Sequence, residues 1–258
     1  MTASLTNKNA VVTGGGTGIG RAIAQHLAEA GASVAVVGRR PEPLEETASM
    51  IREAGGACHV QALDVRDAAA VAAGIDEIAG QMGALDILVN NAGTGGPNSC
   101  SGDGPDRWDE IVRTNLDGIF FCAREALRHM PDGGRVVNIS SVLGRFGVPG
   151  YTAYCTSKHG VIGFTKALAL EVAARKITVN AICPGWVETE MARQGMDLMA
   201  TGLGVSYEEA REQALSVVPI QRIIEPEEVG ALVVYMASDA AAGMTAQAVS
   251  LCGGATMV

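Results

Sequence analysis

The chain has 258 residues, of which 48% are hydrophobic and 18% charged, and it carries a net charge of −9. That length and apolar share suffice for one large α/β core and exclude a disordered chain. The acidic balance, with no run of lysine and arginine, excludes nucleic acid as a partner. No stretch approaches the ~18–20 apolar residues of a membrane span. The start "MTASLTNKNAVVTGGG" has no signal-peptide pattern, so the expected location is cytoplasmic.

Strands and helices alternate along the chain. "NAVVTG" is a short apolar run that ends in glycines, and "GIGRAIAQHLAEAGA" has helical periodicity with a glycine stop. "SVAVVG" is the next β-branched run and "PEPLEETASMIREAGG" the next helix. "CHVQALDV" and "LDILVNNAG" follow as strands, with the helix "AAAVAAGIDEIAGQMG" between them. Beyond them lie the strand "GRVVNISS", a long helix that contains Tyr154, the strand "ITVNAICPG", the helix "PEEVGALVVYMAS" and a last strand near "QAVSLCGG". This order predicts one α/β domain over 1–258: a doubly wound Rossmann fold with a central parallel sheet of about seven strands flanked by helices. Two segments read as loops with special roles. One is "TGGPNSCSGDGP" at 94–105. The other, about 188–219, is rich in methionine and leucine and is expected to be a substrate lid.

The six cysteines (58, 100, 122, 155, 183 and 252) and four histidines (26, 59, 129 and 159) are scattered, with no spacing that suggests a metal site, and none is expected. The glycines are more informative. "VVTGGGTGIGRAIA" puts Gly14, Gly18 and Gly20 between a strand and a helix, where they permit a tight turn and bring helix-start N–H groups to a pyrophosphate. The second strand ends "VAVVGRRPE". An acid that would bind a ribose 2′-hydroxyl is absent, and Arg39 follows the neutral Gly38. That favours NADP(H), with NAD(H) as the alternative.

Tyr154 and Lys158 stand one helical turn apart, on one face of their helix. A cation held beside a phenol lowers its pKa from the usual ~10 toward a value useful for proton transfer. Each residue also has a plainer reading: Ser141 as a turn cap, Asn115 as a polar core residue, and Tyr154 with Lys158 as a solvated pair.

Taken in order, "TGGGTGIG" (13–20), "NNAG" (90–93), "TNLDG" with Asn115, Ser141 thirteen residues before Tyr154, Tyr154-x-x-x-Lys158, and "PG" at 184–185 followed by Thr189 resemble the short-chain dehydrogenase/reductase family. Within it the chain is most similar to bacterial 3-oxoacyl-thioester reductases and aromatic polyketide ketoreductases, through "SKHGVIGFTKALALEV", "ITVNAICPGWVETEM", "VPIQRIIEPEEV" and "MTAQAVSLCGG". The resemblance implies catalytic roles: Tyr154 as general acid, Lys158 tuning Tyr154 and bonding the nicotinamide ribose, Ser141 bonding the substrate oxygen, and Asn115 holding a water that links Lys158 to solvent. It also implies cofactor contacts. Gly14, Thr17, Gly18, Ile19 and Gly20 form the glycine loop, and Arg39 reads the 2′-phosphate. Asp64 and Val65 meet the adenine, and Asn91, Ala92 and Gly93 pass its ribose. Ile139, Pro184, Gly185, Val187 and Thr189 lie on the nicotinamide side.

Two positions depart from the family pattern. Thr17 stands where some NADP-dependent members carry a basic residue, and Cys155 follows the catalytic tyrosine where many have serine or alanine. The expected substrate wall is Val142, Leu143, Phe146, Trp186 and Met191, together with Val148, Met196, Leu198 and Met199, and Arg145 and Arg193 are the candidates for a basic rim. The implied activity is NADPH-dependent reduction of a 3-oxoacyl thioester or polyketide-like ketone. The alternatives are a free-ketone reductase or secondary-alcohol dehydrogenase, NAD-dependent in one version, and, more remotely, a non-catalytic nucleotide-binding regulatory protein. The family also implies a homotetramer or homodimer.

Overall fold

The structure is a computed structural model that describes residues 4–101 and 104–257. Seven strands form one parallel sheet in the order β3-β2-β1-β4-β5-β6-β7. They are β1 (Asn9–Thr13), β2 (Ser33–Gly38), β3 (Cys58–Ala62), β4 (Ile87–Asn90), β5 (Arg135–Ile139), β6 (Thr178–Pro184) and β7 (Ala248–Leu251). Every residue of β4, β5 and β6 is buried, as expected of strands covered on both faces.

One face is covered by α1 (Gly18–Glu29), α2 (Pro41–Glu53) and α9 (Pro226–Ala237), which contribute Ile23, Leu27, Leu44, Val229 and Met236 to one core. The other is covered by α3 (Ala68–Met82), α5 (Gly118–His129) and α6 (Thr152–Glu171), with Val71, Ile75, Ala126 and Leu168 in a second core. α5 continues α4 (Trp108–Val112) through a wider π turn at Arg113–Asp117. Strand order reverses between β1 and β4, so a crevice opens where their carboxyl ends diverge, and ligands of such sheets bind there. No helix among the described residues is long and apolar enough to cross a membrane.

Two differences from the sequence expectation have local causes. β3 ends at Ala62, not Val65, because the Asp64 carboxylate accepts from Arg66 N at 3.0 Å and turns the chain. The 188–219 segment is helical: α7 (Glu190–Leu203) is capped by Thr189, and α8 (Tyr207–Ser216) starts in a capping box between Ser206 and Glu209. The hairpin has a small core of its own, in which Met196, Ala214 and Ile223 are buried. Its two stems are tied where Ile224 N donates to Trp186 O and Glu188 N donates to Ile224 O, each at 2.9 Å. Residues 102 and 103 of the 94–105 loop lie outside the described residues.

Candidate active site

The glycine loop turns tightly at the crevice because its glycines have no side chains to obstruct it. Gly14 (φ +67°) and Gly18 (φ +50°) take left-handed conformations. A Cβ on Gly14 would stand 2.9 Å from Ala92 Cα, and one on Gly20 would collide with Gly14 O. A Cβ on Gly18 would lie 3.1 Å from Thr189 Cγ2, so Thr189 borders the same loop. Thr17, the exposed N-cap of α1, places no side-chain hydrogen bond on the helix start, and the first-turn N–H groups suit an anion. Ile19 follows in that first turn, partly buried against the first core. Thr13 Oγ1 accepts from Asn91 N and Ala92 N, both at 3.0 Å, which ties the glycine loop to the segment after β4.

Arg39 is exposed at the end of β2. Asp64 lies near it, its carboxyl held below the usual range mainly by the Arg66 guanidinium, 2.6 Å away. Val65 is buried against Gly118. This end of the crevice is bordered by Arg39, Arg66 and a backbone turn.

At the other end of the crevice the lining is side chain. Ser141 (8% exposed), Lys158 (4%) and Asn115 (0%) are buried. Asn115 Nδ2 donates to Ser157 Oγ at 3.1 Å, linking the π turn to α6. A Cβ on Gly93 would stand 3.3 Å from Asn115 Oδ1 and 3.6 Å from Lys158 Nζ, so these three residues share one small volume. Lys158 Nζ donates to Ile139 O at 2.9 Å and lies 5.6 Å from the centre of the Tyr154 ring. Ser141 Oγ accepts from Leu143 N at 3.1 Å, so the plainer reading as a turn cap also holds for it. Pro184, Gly185 and Val187 form the end of β6 and the first hairpin stem, where a Cβ on Gly185 would stand 3.0 Å from Cys252 Cβ.

The structure corrects the expected protonation of the pair. Burial pushes the Tyr154 hydroxyl up to about 12, against a lowering hydrogen bond with Ser141, and pushes Lys158 down to about 8. Desolvation penalises the charged form of each group. Lys158 addresses a backbone carbonyl and the face of the ring, and the expected depression of Tyr154 is overridden by burial.

The residues expected to wall the substrate lie in different settings. Val142 and Leu143 sit in a partly buried turn beside Ser141, and Phe146 is 41% exposed. A Cβ on Gly95 would lie 3.4 Å from both Met191 Sδ and Tyr154 Cε2, which brings Met191 to the mouth of the site. Trp186 and Met199 instead pack against the hairpin core around Met196. Leu198 is half exposed. Of the proposed rim arginines, Arg193 pairs with Glu188 at 3.2 Å, whereas Arg145 keeps its charge and donates to Ala248 O. Two residues near the site had escaped the sequence reading. Asn98, 4% exposed, accepts at its carbonyl from Thr152 Oγ1 at 2.7 Å and so joins the 94–101 loop to the start of α6. Arg107 donates to Gly95 O at 2.8 Å. Neither contact has a spacing signal, because its partners lie far apart in sequence.

A doubly wound sheet with a glycine loop at its switch point, and a tyrosine and buried lysine one turn apart beside a buried serine, defines a dinucleotide-dependent oxidoreductase site. The family model for short chain dehydrogenases matches residues 8–197, and the chain belongs to that family. It therefore acts on C=O and CH–OH groups with a nicotinamide cofactor. It is 41% identical to a Streptomyces coelicolor protein provisionally named a ketoacyl reductase, over 98% of both chains. It is 38% identical to the 3-oxoacyl-[acyl-carrier-protein] reductase FabG of Vibrio harveyi, over 99% of this chain and 100% of that one. Its fold is similar to a crystal structure of an actinorhodin polyketide ketoreductase variant with NADPH, with a TM-score of 0.92 and 41% identity over 96% of this chain and 97% of that chain.

Proposed function

We propose that the protein is an NADPH-dependent ketoreductase that reduces a 3-oxoacyl thioester or polyketide-like ketone to a secondary alcohol, with Tyr154 as the proton donor. The observation that carries this reading is the convergence of Tyr154, Ser141, Lys158 and Asn115 within one crevice of a family whose members act on carbonyls. The reduced nicotinamide supplies the hydride. Ser141 Oγ and Tyr154 Oη address the carbonyl oxygen, where negative charge develops. With its pKa raised to about 12, Tyr154 is protonated at neutral pH, as a general acid must be, and an alkoxide is basic enough to take that proton. Lys158 has donor capacity beyond Ile139 O for a ribose hydroxyl.

The described residues fit the cofactor. Gly14, Thr17, Gly18, Ile19 and Gly20 would receive the pyrophosphate, Arg39 the 2′-phosphate, and Asp64 and Val65 the adenine. Asn91, Ala92 and Gly93 would pass its ribose, and Ile139, Pro184, Gly185, Val187 and Thr189 would flank the nicotinamide. The α7–α8 hairpin, about 188–219, would act as the lid, with Val142, Leu143, Phe146 and Met191 meeting substrate and Trp186 bracing the lid. We assign the protein to the cytoplasm and to a homodimer or homotetramer on the same family grounds.

A second reading, a free-ketone reductase, is favoured by one observation. The 188–219 segment carries six acids against two arginines, and both of those arginines reach Glu188, Arg193 at 3.2 Å and Arg211 at 4.0 Å. An acidic carrier protein would find no cationic rim there. The test is loss of the reduced nicotinamide's near-ultraviolet absorbance, with NADPH and separately NADH, on 3-oxoacyl thioesters and free ketones. Turnover of thioesters with NADPH supports the first reading. Turnover of free ketones alone supports the second, and no turnover on either sinks both.

A further inference from the structure

The segment Thr94–Gly96 passes beside the Tyr154 ring: a Cβ on Gly95 would lie 3.4 Å from Tyr154 Cε2. Its backbone is held from two sides. From the core, Asn115 Oδ1 accepts from Thr94 N at 2.8 Å and Asn115 Nδ2 donates to Thr94 O at 2.9 Å. From the opposite side comes Arg107, the residue just before α4. Its Nη1 donates to Gly95 O at 2.8 Å and its Nη2 to Thr94 Oγ1 at 3.3 Å. The guanidinium is itself aimed by Glu110, which accepts from Nε at 2.9 Å and from Nη2 at 3.0 Å. Four of these bonds come from one planar fork, a geometry that lysine cannot reproduce.

The fit is close. Gly96 has φ +127°, and a Cβ there would overlap Arg107 Nη1. Ion pairs this near the surface contribute little stability by themselves, and the Arg107 side chain is 30% exposed. What the pair does achieve is to fix a carbonyl in the loop residue beside Tyr154. The Cβ on Gly95 would lie 3.4 Å from Met191 Sδ as well, so the loop, the tyrosine ring and the helical hairpin converge at this one residue.

We propose that Arg107 is a positioning residue of the reaction. By clamping Gly95 and Thr94 it keeps the wall beside Tyr154 in one place, so a ketone is presented with one face toward the hydride. Arg107 thereby governs the handedness of the alcohol as well as its rate of formation. This rests on the reading of Tyr154 as proton donor.

The test compares wild type, Arg107→Met, Arg107→Lys and Glu110→Gln on ethyl 3-oxobutanoate and 1-tetralone, following kcat, KM, the enantiomer ratio of the alcohol and the NADPH dissociation constant. For Arg107→Met the expected result is a fall in kcat/KM of about tenfold to a hundredfold, the cost of a small misplacement at a reacting centre. The enantiomer ratio moves toward unity and NADPH affinity changes by less than about twofold. Arg107→Lys, which can still reach Gly95 O with one donor, recovers part of the ratio. Glu110→Gln weakens the aim of the guanidinium and shifts the ratio in the same direction by less, and it carries the test if Arg107→Met does not fold. An unchanged enantiomer ratio in variants that lose only melting temperature or NADPH affinity overturns the proposal and leaves Arg107 as a brace for the start of α4. A wild-type protein that reduces neither ketone nor a thioester removes the Tyr154 reading, a failure distinct from that one.

Discussion

At the proposed phosphate end of the crevice the backbone forms the site; at the proposed reacting end buried and partly buried side chains do. The glycine loop is shaped by the absence of Cβ atoms: Gly14 leaves room for Ala92 and Gly20 for the backbone of Gly14. The reacting end depends on groups withdrawn from water, and there burial moves Tyr154 up to about 12 and Lys158 down to about 8. A backbone site has no group to titrate, so its specificity must come from exposed charges at its margin, such as Arg39. A site of buried titratable groups gains its chemistry from desolvation and becomes sensitive to pH. The two ends should therefore respond to different perturbations.

Of a cofactor-binding substitution and a change of pH, the substitution at the phosphate end has the larger expected effect. Arg39→Ala should weaken NADPH binding about tenfold, or about 1.4 kcal/mol, while NADH binding and kcat at saturating cofactor stay close to wild type. Fluorescence titration with each cofactor reads this out, and equal weakening of both would remove Arg39 as the phosphate reader.

A smaller, several-fold effect is expected from pH, and it belongs to the reacting end alone. Above about pH 8 Lys158 loses its proton while Tyr154 keeps its own. Ketone reduction should fall through a single ionisation near that value, with NADPH affinity at the Arg39 end little affected. Stability should move the other way for this residue. An unfolded lysine titrates near 10.5, so between about 8 and 10.5 the unfolded chain binds more protons, and the contribution of Lys158 to stability rises with pH. A pH–rate profile paired with melting curves separates the two. A flat rate from pH 7 to 9.5 would show that the Lys158 charge is not needed.

The sheet, and the placing of Tyr154 and Lys158 on one helix face, were legible in the sequence for physical reasons. β-branched runs alternating with periodic helices leave few topologies, and a tyrosine and lysine four apart on a helix share a face wherever the helix packs. The 188–219 segment was less legible. Its methionines and leucines serve a separate small core, and its glycines interrupt the period, although Ser206 and Glu209 did carry a helix-start signal. The protonation of Tyr154 could not be read from its neighbour Lys158, because spacing shows proximity but not depth. The same holds for Arg145: the sequence shows a cation beside the site, and only the fold shows that it is bonded to Ala248 O. Arg107 and Asn98 stayed hidden because their partners, Gly95 and Thr152, are brought close by tertiary packing alone.

The most direct test of the account is a single-turnover reaction in which wild type and Tyr154→Phe are loaded with NADPH and mixed with a ketone that the wild type reduces. The account predicts that the variant holds NADPH as tightly as wild type and forms alcohol about 10²- to 10⁴-fold more slowly, the loss expected for a general acid. Alcohol formed at the wild-type rate, with the fold and NADPH binding intact, would contradict the assignment of Tyr154 and with it the proposed mechanism.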